Sequence, residues 1–322
     1  MARSVLVTGG AGFIGSHAVL ALLEAGHRVV TVDNLSNGHR EAVLGGDFEQ
    51  LDLLNADALD AVFERYRPEA VMHFAGAIEV GESVRDPLKY YRVNVGGSLN
   101  LLAAMARHGT QAIVFSSTAA VFGAPARVPI EEDDAKAPIN PYGMSKLMVE
   151  RVLAELARAN GLKACALRYF NAAGADPAGR LAERHEPETH LIPLVLQAAA
   201  GRRPGIAVFG TDYDTPDGSC VRDYVHVSDL VDAHLLALEA LFAGRARPAY
   251  NLGNGEGYSV RQVIETARQV TGRAIAVSEA ARRPGDPARL VASNRLALSE
   301  LGWQPKRRLL PEIIEDAWRA MR

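Results

Sequence analysis

Cysteine is nearly missing from this chain: Cys165 and Cys220 are the only two in 322 residues. That excludes a disulfide framework and leaves no zinc-ligand spacing of cysteines. The compartment implied is a reducing one, and Cys165, inside an apolar run, reads as core. An excess of one charge is lacking too. The 35 basic and 38 acidic residues are well mixed and sum to −3, so no basic stripe exists to neutralise a phosphate backbone and nucleic acid is not an expected partner. No run reaches the roughly 18 uninterrupted apolar residues of a membrane span. Residues 1–10 run straight into a strand and a glycine turn without a charged leader, so neither a signal peptide nor a membrane is expected, and the cytoplasm is the expected location. There is no internal repeat and no low-complexity tract. What is present is a 48% apolar composition, enough for one large core or two modest ones.

Strand-length apolar runs alternate with helical patterns through the first half. The strands are expected at 5–8, 29–33, 48–53, 70–75, 113–117 and 164–170, with helices near 14–25, 56–65, 88–107 and 143–159. This βαβ repetition predicts an α/β fold, a doubly wound and mostly parallel sheet of the Rossmann kind. From about residue 172 to His190 the texture becomes rich in Gly, Pro, Asp and His, as in a binding loop. Further helices are expected at 228–241, 259–271 and 313–321, and a strand at 249–252. The expected division is a dinucleotide-binding domain at 1–174 and a smaller α+β substrate domain at 175–322, with segments near 228–253 returning to the first.

Gly9, Gly12 and Gly15 follow the first strand and open the first helix, where a turn must be tight and backbone must approach a pyrophosphate closely. Asp33 closes the second strand, about 20 residues on, placed to accept from a ribose 2′-hydroxyl and to repel a 2′-phosphate. NAD is therefore favoured over NADP. Asp52 ends the third expected strand, as a partner for the adenine or as a simple strand-end cap.

Asn140 and Pro141 read as an N-cap and first helical position. Tyr142 and Lys146 then share one face, where an ammonium stabilises a phenolate. A phenol titrates near pH 10 in water and needs such help to act as a base. Ser116, Ser117 and Thr118, at the carboxyl end of the fifth strand, supply a hydroxyl where open sheets bind ligands.

Taken together, Val-Thr-Gly-Gly-Ala-Gly-Phe-Ile-Gly-Ser-His at 7–17, Val-Asp-Asn-Leu at 32–35, His-Phe-Ala-Gly at 73–76, Val-Gly-Glu-Ser-Val at 80–84, Tyr-Gly-Met-Ser-Lys-Leu-Met-Val-Glu at 142–150, Leu-Arg-Tyr-Phe-Asn at 167–171, Phe-Gly-Thr-Asp-Tyr at 209–213, Val-Arg-Asp-Tyr-Val-His-Val at 221–227 and Arg-Arg-Pro-Gly-Asp at 282–286 span nearly the whole length. In these segments the chain resembles the extended short-chain dehydrogenase/reductase family, and within it the epimerases that invert C4 of a UDP-hexose. The resemblance implies interconversion of UDP-glucose and UDP-galactose, with transient C4 oxidation by bound NAD, rotation of the 4-keto sugar and return of the hydride. Tyr142 would take the C4 hydroxyl proton, Thr118 would bond that hydroxyl, and Lys146 would hold the nicotinamide ribose and depress the tyrosine pKa. The same resemblance implies a cofactor site of Gly9, Gly12, Phe13, Ile14, Gly15, Asp33, Asn34, Asp52 and Leu53. Phe74, Ala75, Gly76, Asn94, Ser116, Tyr142, Lys146 and Phe170 complete it. For the nucleotide sugar it implies Asn171, His190, Leu191, Phe209 against the uracil, Arg222 and Arg283 on the diphosphate, and Asp286 on the uridine ribose. A homodimer joined through the helices at 88–107 and 143–159 is implied as well.

Some positions depart from the family. Ile78 replaces a lysine that some members place near the cofactor, and His190 replaces an asparagine. Leu290, where side-chain size bears on N-acetyl groups, is neither bulky nor small, so UDP-N-acetylhexosamines stay open as substrates, with UDP-uronates and UDP-pentoses. Dehydratases and decarboxylases of the family carry acidic residues after the strand-five hydroxyl, where this chain has Ala119 and Ala120. A catalytically silent NAD-binding regulator would have no need of Tyr142, Lys146 and Thr118. His185 and His190 resemble a zinc motif, but they are five apart and Pro187 would break the helix needed to present them, so no metal is expected. Tyr90 and Tyr91 read as packing.

Overall fold

The computed structural model describes residues 2–283 and 286–322; Pro284 and Gly285 of the Arg282 to Asp286 motif lie outside the described residues. Six strands come first: β1 (Ser4–Thr8), β2 (Arg28–Asp33), β3 (Asp47–Gln50), β4 (Ala70–His73), β5 (Ala112–Ser116) and β6 (Lys163–Tyr169). Four short ones follow, β7 (Asn171–Ala173), β8 (Ile206–Phe209), β9 (Val221–Arg222) and β10 (Tyr224–His226), and then β11 (Ala249–Leu252). The main sheet has the order β11-β6-β5-β4-β1-β2-β3, and all its neighbouring strands run parallel. The chain builds outward from β1 in one direction and then crosses to β4 on the other side. That reversal opens a crevice beyond the carboxyl ends of β1 and β4, where doubly wound sheets bind ligands.

Helices α1 (Phe13–Glu24), α2 (Ala56–Tyr66), α3 (Val80–Arg85), α4 (Pro87–Tyr90), α5 (Gly97–His108) and α6 (Pro141–Asn160) make the crossovers of the first half. The later helices are α7 (Leu191–Ala199), α8 (Val227–Phe242), α9 (Val260–Thr271) and α10 (Leu310–Met321). Alternation along the strands sets the two faces: Val5, Val7, Met72 and Val114 join α1 and α8 in one cluster. Leu6, Val71, Ile113 and Phe115 turn the other way, onto α2, α5 and α6. The first half is thus covered on both faces, as parallel sheets require. A separate cluster lies in the later residues, where Ile192, Val195, Val263, Ile264, Ile313 and Trp318 pack α7, α9 and α10 together. The remaining strands are β12 (Tyr258–Ser259), β13 (Val277–Ala280) and β14 (Arg289–Leu290). They form two small sheets, β12-β9-β14 and β13-β8, beside a β10-β7 pair.

Three of the differences from the sequence reading bear on the site. β3 stops at Gln50 because the Asp52 side chain accepts from Leu54 N at 2.8 Å, and that local turn competes with the ladder. The long helix expected at 88–107 holds a π-helical turn over residues 91–96. Helix α7 follows directly on the loop that ends at His190; a run of nine residues with Pro193 in its first turn is too short and too apolar for its sequence to distinguish a helix from a buried strand. No helix among the described residues is long and apolar enough to cross a membrane.

Candidate active site

The glycine turn links β1 to α1. Gly9 sits at φ +71, and a Cβ there would lie 2.5 Å from Ala75 N; at Gly15 a Cβ would meet Gly9 O at 2.1 Å. The turn therefore accepts no side chain at either place. Gly12 caps α1 without a side-chain bond, and the first turn of that helix holds no acidic residue, so the N–H groups of the opening turn face outward with the positive end of the dipole. Phe13 begins α1 with its ring edge-on to His17 at 5.2 Å, and Ile14 packs against the core.

Asp33, the last residue of β2, accepts from Ala11 N at 3.0 Å and from Leu35 N at 2.8 Å, so its carboxylate ties the glycine turn to the strand end. Each oxygen keeps a free lone pair. Asn34 donates to Asp52 at 2.9 Å, and Leu53 abuts Gly97 at the start of α5. After β4, Phe74 N and Ala75 N both donate to Thr8 O. Ala77 N donates to Asn94 Oδ1 at 2.7 Å, while Asn94 Nδ2 donates to Ala77 O and to Ser145 Oγ. Asn94 lies in the π-turn, which aims its buried amide across the end of β4.

On the facing wall, Asn140 caps α6 by accepting from Gly143 N at 2.8 Å, as the sequence leads one to expect. Gly143 was not singled out by that reading. A Cβ there would lie 2.6 Å from Ala120 O, so its bareness lets α6 close onto the turn that Thr118 caps. Ser145 Oγ donates to Tyr142 O at 2.7 Å and receives Asn94, linking the two walls. The fully buried Tyr90 donates to Glu79 O and sets its ring edge-on to Tyr142, centroids 6.4 Å apart, so it supports the tyrosine besides filling space.

Tyr142 and Lys146 occupy one face of α6. The buried ammonium donates to Ser116 O at 2.9 Å and lies 5.0 Å above the Phe115 ring. A carbonyl at the strand end is the acceptor a desolvated lysine needs. Burial pushes Lys146 down to about 8. Burial moves the Tyr142 phenol upward, and the Thr118 hydroxyl pulls it back. One of the three donors of the ammonium is thus engaged at the β5 end, and the Thr118 hydroxyl is the group that favours the phenolate. Thr118 is itself fixed, accepting from Ala120 N at 3.1 Å. Ser116 Oγ meets the Tyr169 hydroxyl, and Ser117 Oγ donates to Glu150, which also takes two bonds from Arg168. The buried Glu150–Arg168 pair is a support that motif spacing did not reveal, its partners being 18 residues apart on α6 and β6.

The substrate candidates form two groups. Arg222 on β9 donates to Asp286 and, at 3.0 Å, to Pro287 O; Arg283 stacks its guanidinium 4.2 Å from the Phe209 ring. Asn171 opens β7 and donates to Asp223 O at 2.8 Å. Phe170 and Leu290 lean on the small cluster of Ala119, Val121, Phe122, Ile130 and Leu147, beside the Thr118 turn. Ile78 is exposed. His190 caps α7 with Leu191 behind it, but its Nδ1 faces Glu183 and Glu188, each at 3.0 Å, and not the arginine groups.

The model of the NAD dependent epimerase/dehydratase family matches residues 5–253. The UDP-glucose 4-epimerase of Azospirillum brasilense is 53% identical over 314 residues, covering 97% of this chain and 90% of that protein. The enzyme of that name from Halalkalibacterium halodurans is 51% identical over 315 residues, covering 98% and 94%. Among solved structures, UDP-glucose 4-epimerase from Brucella ovis in complex with NAD matches with a TM-score of 0.96 at 50% identity, over 99% of this chain and 98% of that one.

Proposed function

The chain belongs to the NAD dependent epimerase/dehydratase family, and from that premise we propose that it interconverts UDP-glucose and UDP-galactose by inverting C4 of the bound sugar. One observation carries the reading: Tyr142, Thr118 and Lys146 converge at the carboxyl end of β5, across the crevice from an uncapped glycine turn. The residues present fit NAD. The bare Gly9 and Gly15 give a cradle that a Cβ would fill, outward N–H groups suit a pyrophosphate, and Asp33 keeps lone pairs for a ribose hydroxyl. Bound NAD supplies a reversible two-electron exchange at C4.

The protein's own residues hold and move the proton. Tyr142 Oη takes the proton of the C4 hydroxyl as that carbon is oxidised and gives it back when the alcohol re-forms, so the phenol ends as it began. Thr118 shares the hydroxyl and lowers the phenol's titration. Lys146, buried and anchored on Ser116 O, holds positive charge beside the cofactor ribose and keeps the floor of the site rigid. Arg222 and Arg283 bind the diphosphate, Phe209 faces the uracil, Asp286 takes the uridine ribose, and Asn171 and Leu191 border the sugar. A 4-keto sugar tethered only by its nucleotide is free to present either face.

Ala119 and Ala120 follow Thr118, and the next carboxylate along the chain, Glu131, bonds Arg127. The strand-five turn thus offers no acid for the proton transfers of dehydration, which favours epimerisation. A coupled assay from UDP-galactose to UDP-glucose tests the reading. Tyr142→Phe is expected to lose about 10²–10⁴-fold in kcat while retaining NAD; wild-type turnover in that variant would overturn the assignment.

We also propose residues 1–174 as the cofactor domain, with segments near 228–253 returning to it, and 175–322 as the sugar domain. Val80, Val84, Leu88, Leu99 and Met148 are exposed apolar side chains on α3, α4, α5 and α6. They support a homodimer formed across these helices, and a solution mass of one chain would remove it. Two free, buried cysteines support the cytoplasm as its location.

A further inference from the structure

The segment between Leu181 and α7 draws four side chains to one point. Among the described residues, Glu183, His185, Glu188 and His190 each present a ligand atom, all within 4.8 Å of one another. His190 Nδ1 lies 3.0 Å from both Glu183 Oε1 and Glu188 Oε1. His185 Nδ1 lies 3.3 Å from Glu183 Oε1 and 3.7 Å from Glu188 Oε2. The two carboxylates are 6% and 7% exposed, and among the described residues neither bonds a lysine or arginine. His185 Nδ1 is buried and makes no hydrogen bond.

We propose that these four residues bind a zinc-class divalent ion that fastens the loop. The metal–ligand distances of tetrahedral zinc place neighbouring ligand atoms about 3.4 Å apart, and the histidine–carboxylate separations of this cluster, 3.0 to 3.7 Å, bracket that value, with no two ligand atoms more than 4.8 Å apart. Two imidazoles and two carboxylates make an N2O2 set whose two negative charges the dication would cancel, taking over from the histidine–carboxylate contacts that hold them in its absence. Magnesium and calcium take six or more oxygen ligands and are poorly served by two nitrogens. Backbone bonds already orient Glu188 as a ligand, since its Oε1 accepts from Thr189 N and His190 N, both at 2.8 Å, leaving Oε2 toward His185. Pro187 is no obstacle, because the ligands come from an irregular loop instead of one helix face.

The place explains the use. On one side of the cluster, Arg180 bonds Glu24 of α1, Arg184 bonds Glu41, and Leu181 and Ala182 line a crevice with Gly12 and Phe13. On the other, His190 begins α7 and the second core. The ion would pin the segment joining the glycine turn to the sugar half. His190 is then a ligand through Nδ1, with only Nε2 left to face anything else.

The test uses the purified full chain and metal alone. After chelation, zinc is expected to rebind at one equivalent per chain, and cobalt to give the strong visible absorption of a four-coordinate ion. Magnesium and calcium should not compete. Zinc is expected to slow tryptic cleavage after Arg184 by roughly tenfold, as local opening becomes costlier. His185→Ala and the near-isosteric Glu188→Gln are each expected to weaken zinc binding at least about 100-fold, with unchanged circular dichroism confirming a folded chain. If the chelated wild type takes up no stoichiometric zinc, or either folded variant binds it as wild type does, the cluster is a metal-free ion-pair network and the proposal falls.

Discussion

On the dinucleotide side of the crevice the groups that would meet a ligand are backbone: N–H groups of an uncapped helix and a turn in which an added Cβ would stand 2.1 Å from a carbonyl. On the proposed sugar side they are the ends of long side chains, and these are already engaged. Arg222 holds Asp286, and Arg283 covers Phe209. The backbone wall is complete as it stands, and its specificity is steric. Arg222 and Asp286 satisfy each other's charge there, so a nucleotide bound at the proposed site would displace that contact, and part of the gross binding energy would be spent in doing so. A rigid wall keeps hold of a resident cofactor, whereas a rearranging wall suits a substrate that has to leave.

The largest effect that bears on this contrast should come from Gly15→Ala. Its methyl collides with Gly9 O inside the turn, so NAD affinity is expected to fall at least about 100-fold, roughly 3 kcal/mol, read by cofactor retained in native mass spectra. Undiminished NAD in that variant would mean that the turn yields and the contrast is false. Next is Arg222→Lys, which keeps the charge but loses the fork. Affinity for the nucleotide sugar is expected to drop about tenfold, seen as a raised KM with kcat nearly unchanged. An equal loss in kcat would place Arg222 in the reaction path and not in binding alone.

The smallest effect is on acid stability, and it sits in the sheet half and at its junction with the rest. Burial holds His73 and His234, in the sheet half, at about 3 and about 4, and His226, at the junction, at about 3. Folded values below the ordinary 6.5 mean that the unfolded chain binds more protons below that pH. The stabilisation is whole above pH 6.5 and is lost as pH falls toward 4, at about 1.4 kcal/mol per pH unit for each histidine. His226→Asn is expected to lower the slope of unfolding free energy between pH 6 and 5 by one such increment. A slope identical to wild type would show that the junction histidine takes no part.

Much of the sheet half was legible because its patterns are local. β1 and β2 lie within a residue of their expected bounds, β5 and α6 within two, and the Asn140 cap forms as read. The Tyr142 and Lys146 face followed from helical spacing alone, but the direction of the ammonium did not, since Ser116 O lies 30 residues away. Asn94 was reached through resemblance, while the π-turn that aims it was not, because nothing in Tyr-Arg-Val-Asn-Val-Gly marks the extra residue per turn. Gly143, Ser145 and Tyr90 act by closeness to groups distant in the chain, and no motif spacing encodes closeness. The five-residue spacing of His185 and His190 excludes ligation from one helix face, and it says nothing of residues that stand in a loop.

The amino-acid order by itself determined most strands and the main helices of the first half, the bare glycine turn, the strand-end acid and the tyrosine helix, because steric freedom, capping and hydrophobic period act over a few residues. Only the tertiary structure decided which carbonyl receives Lys146, which hydroxyl steadies Tyr142, how Arg222 and Asp286 satisfy each other, and that Glu183, His185, Glu188 and His190 meet. Those outcomes depend on burial and on partners brought together by the crossing of the sheet. Desolvation energy is a property of the assembled site, and no residue carries it alone.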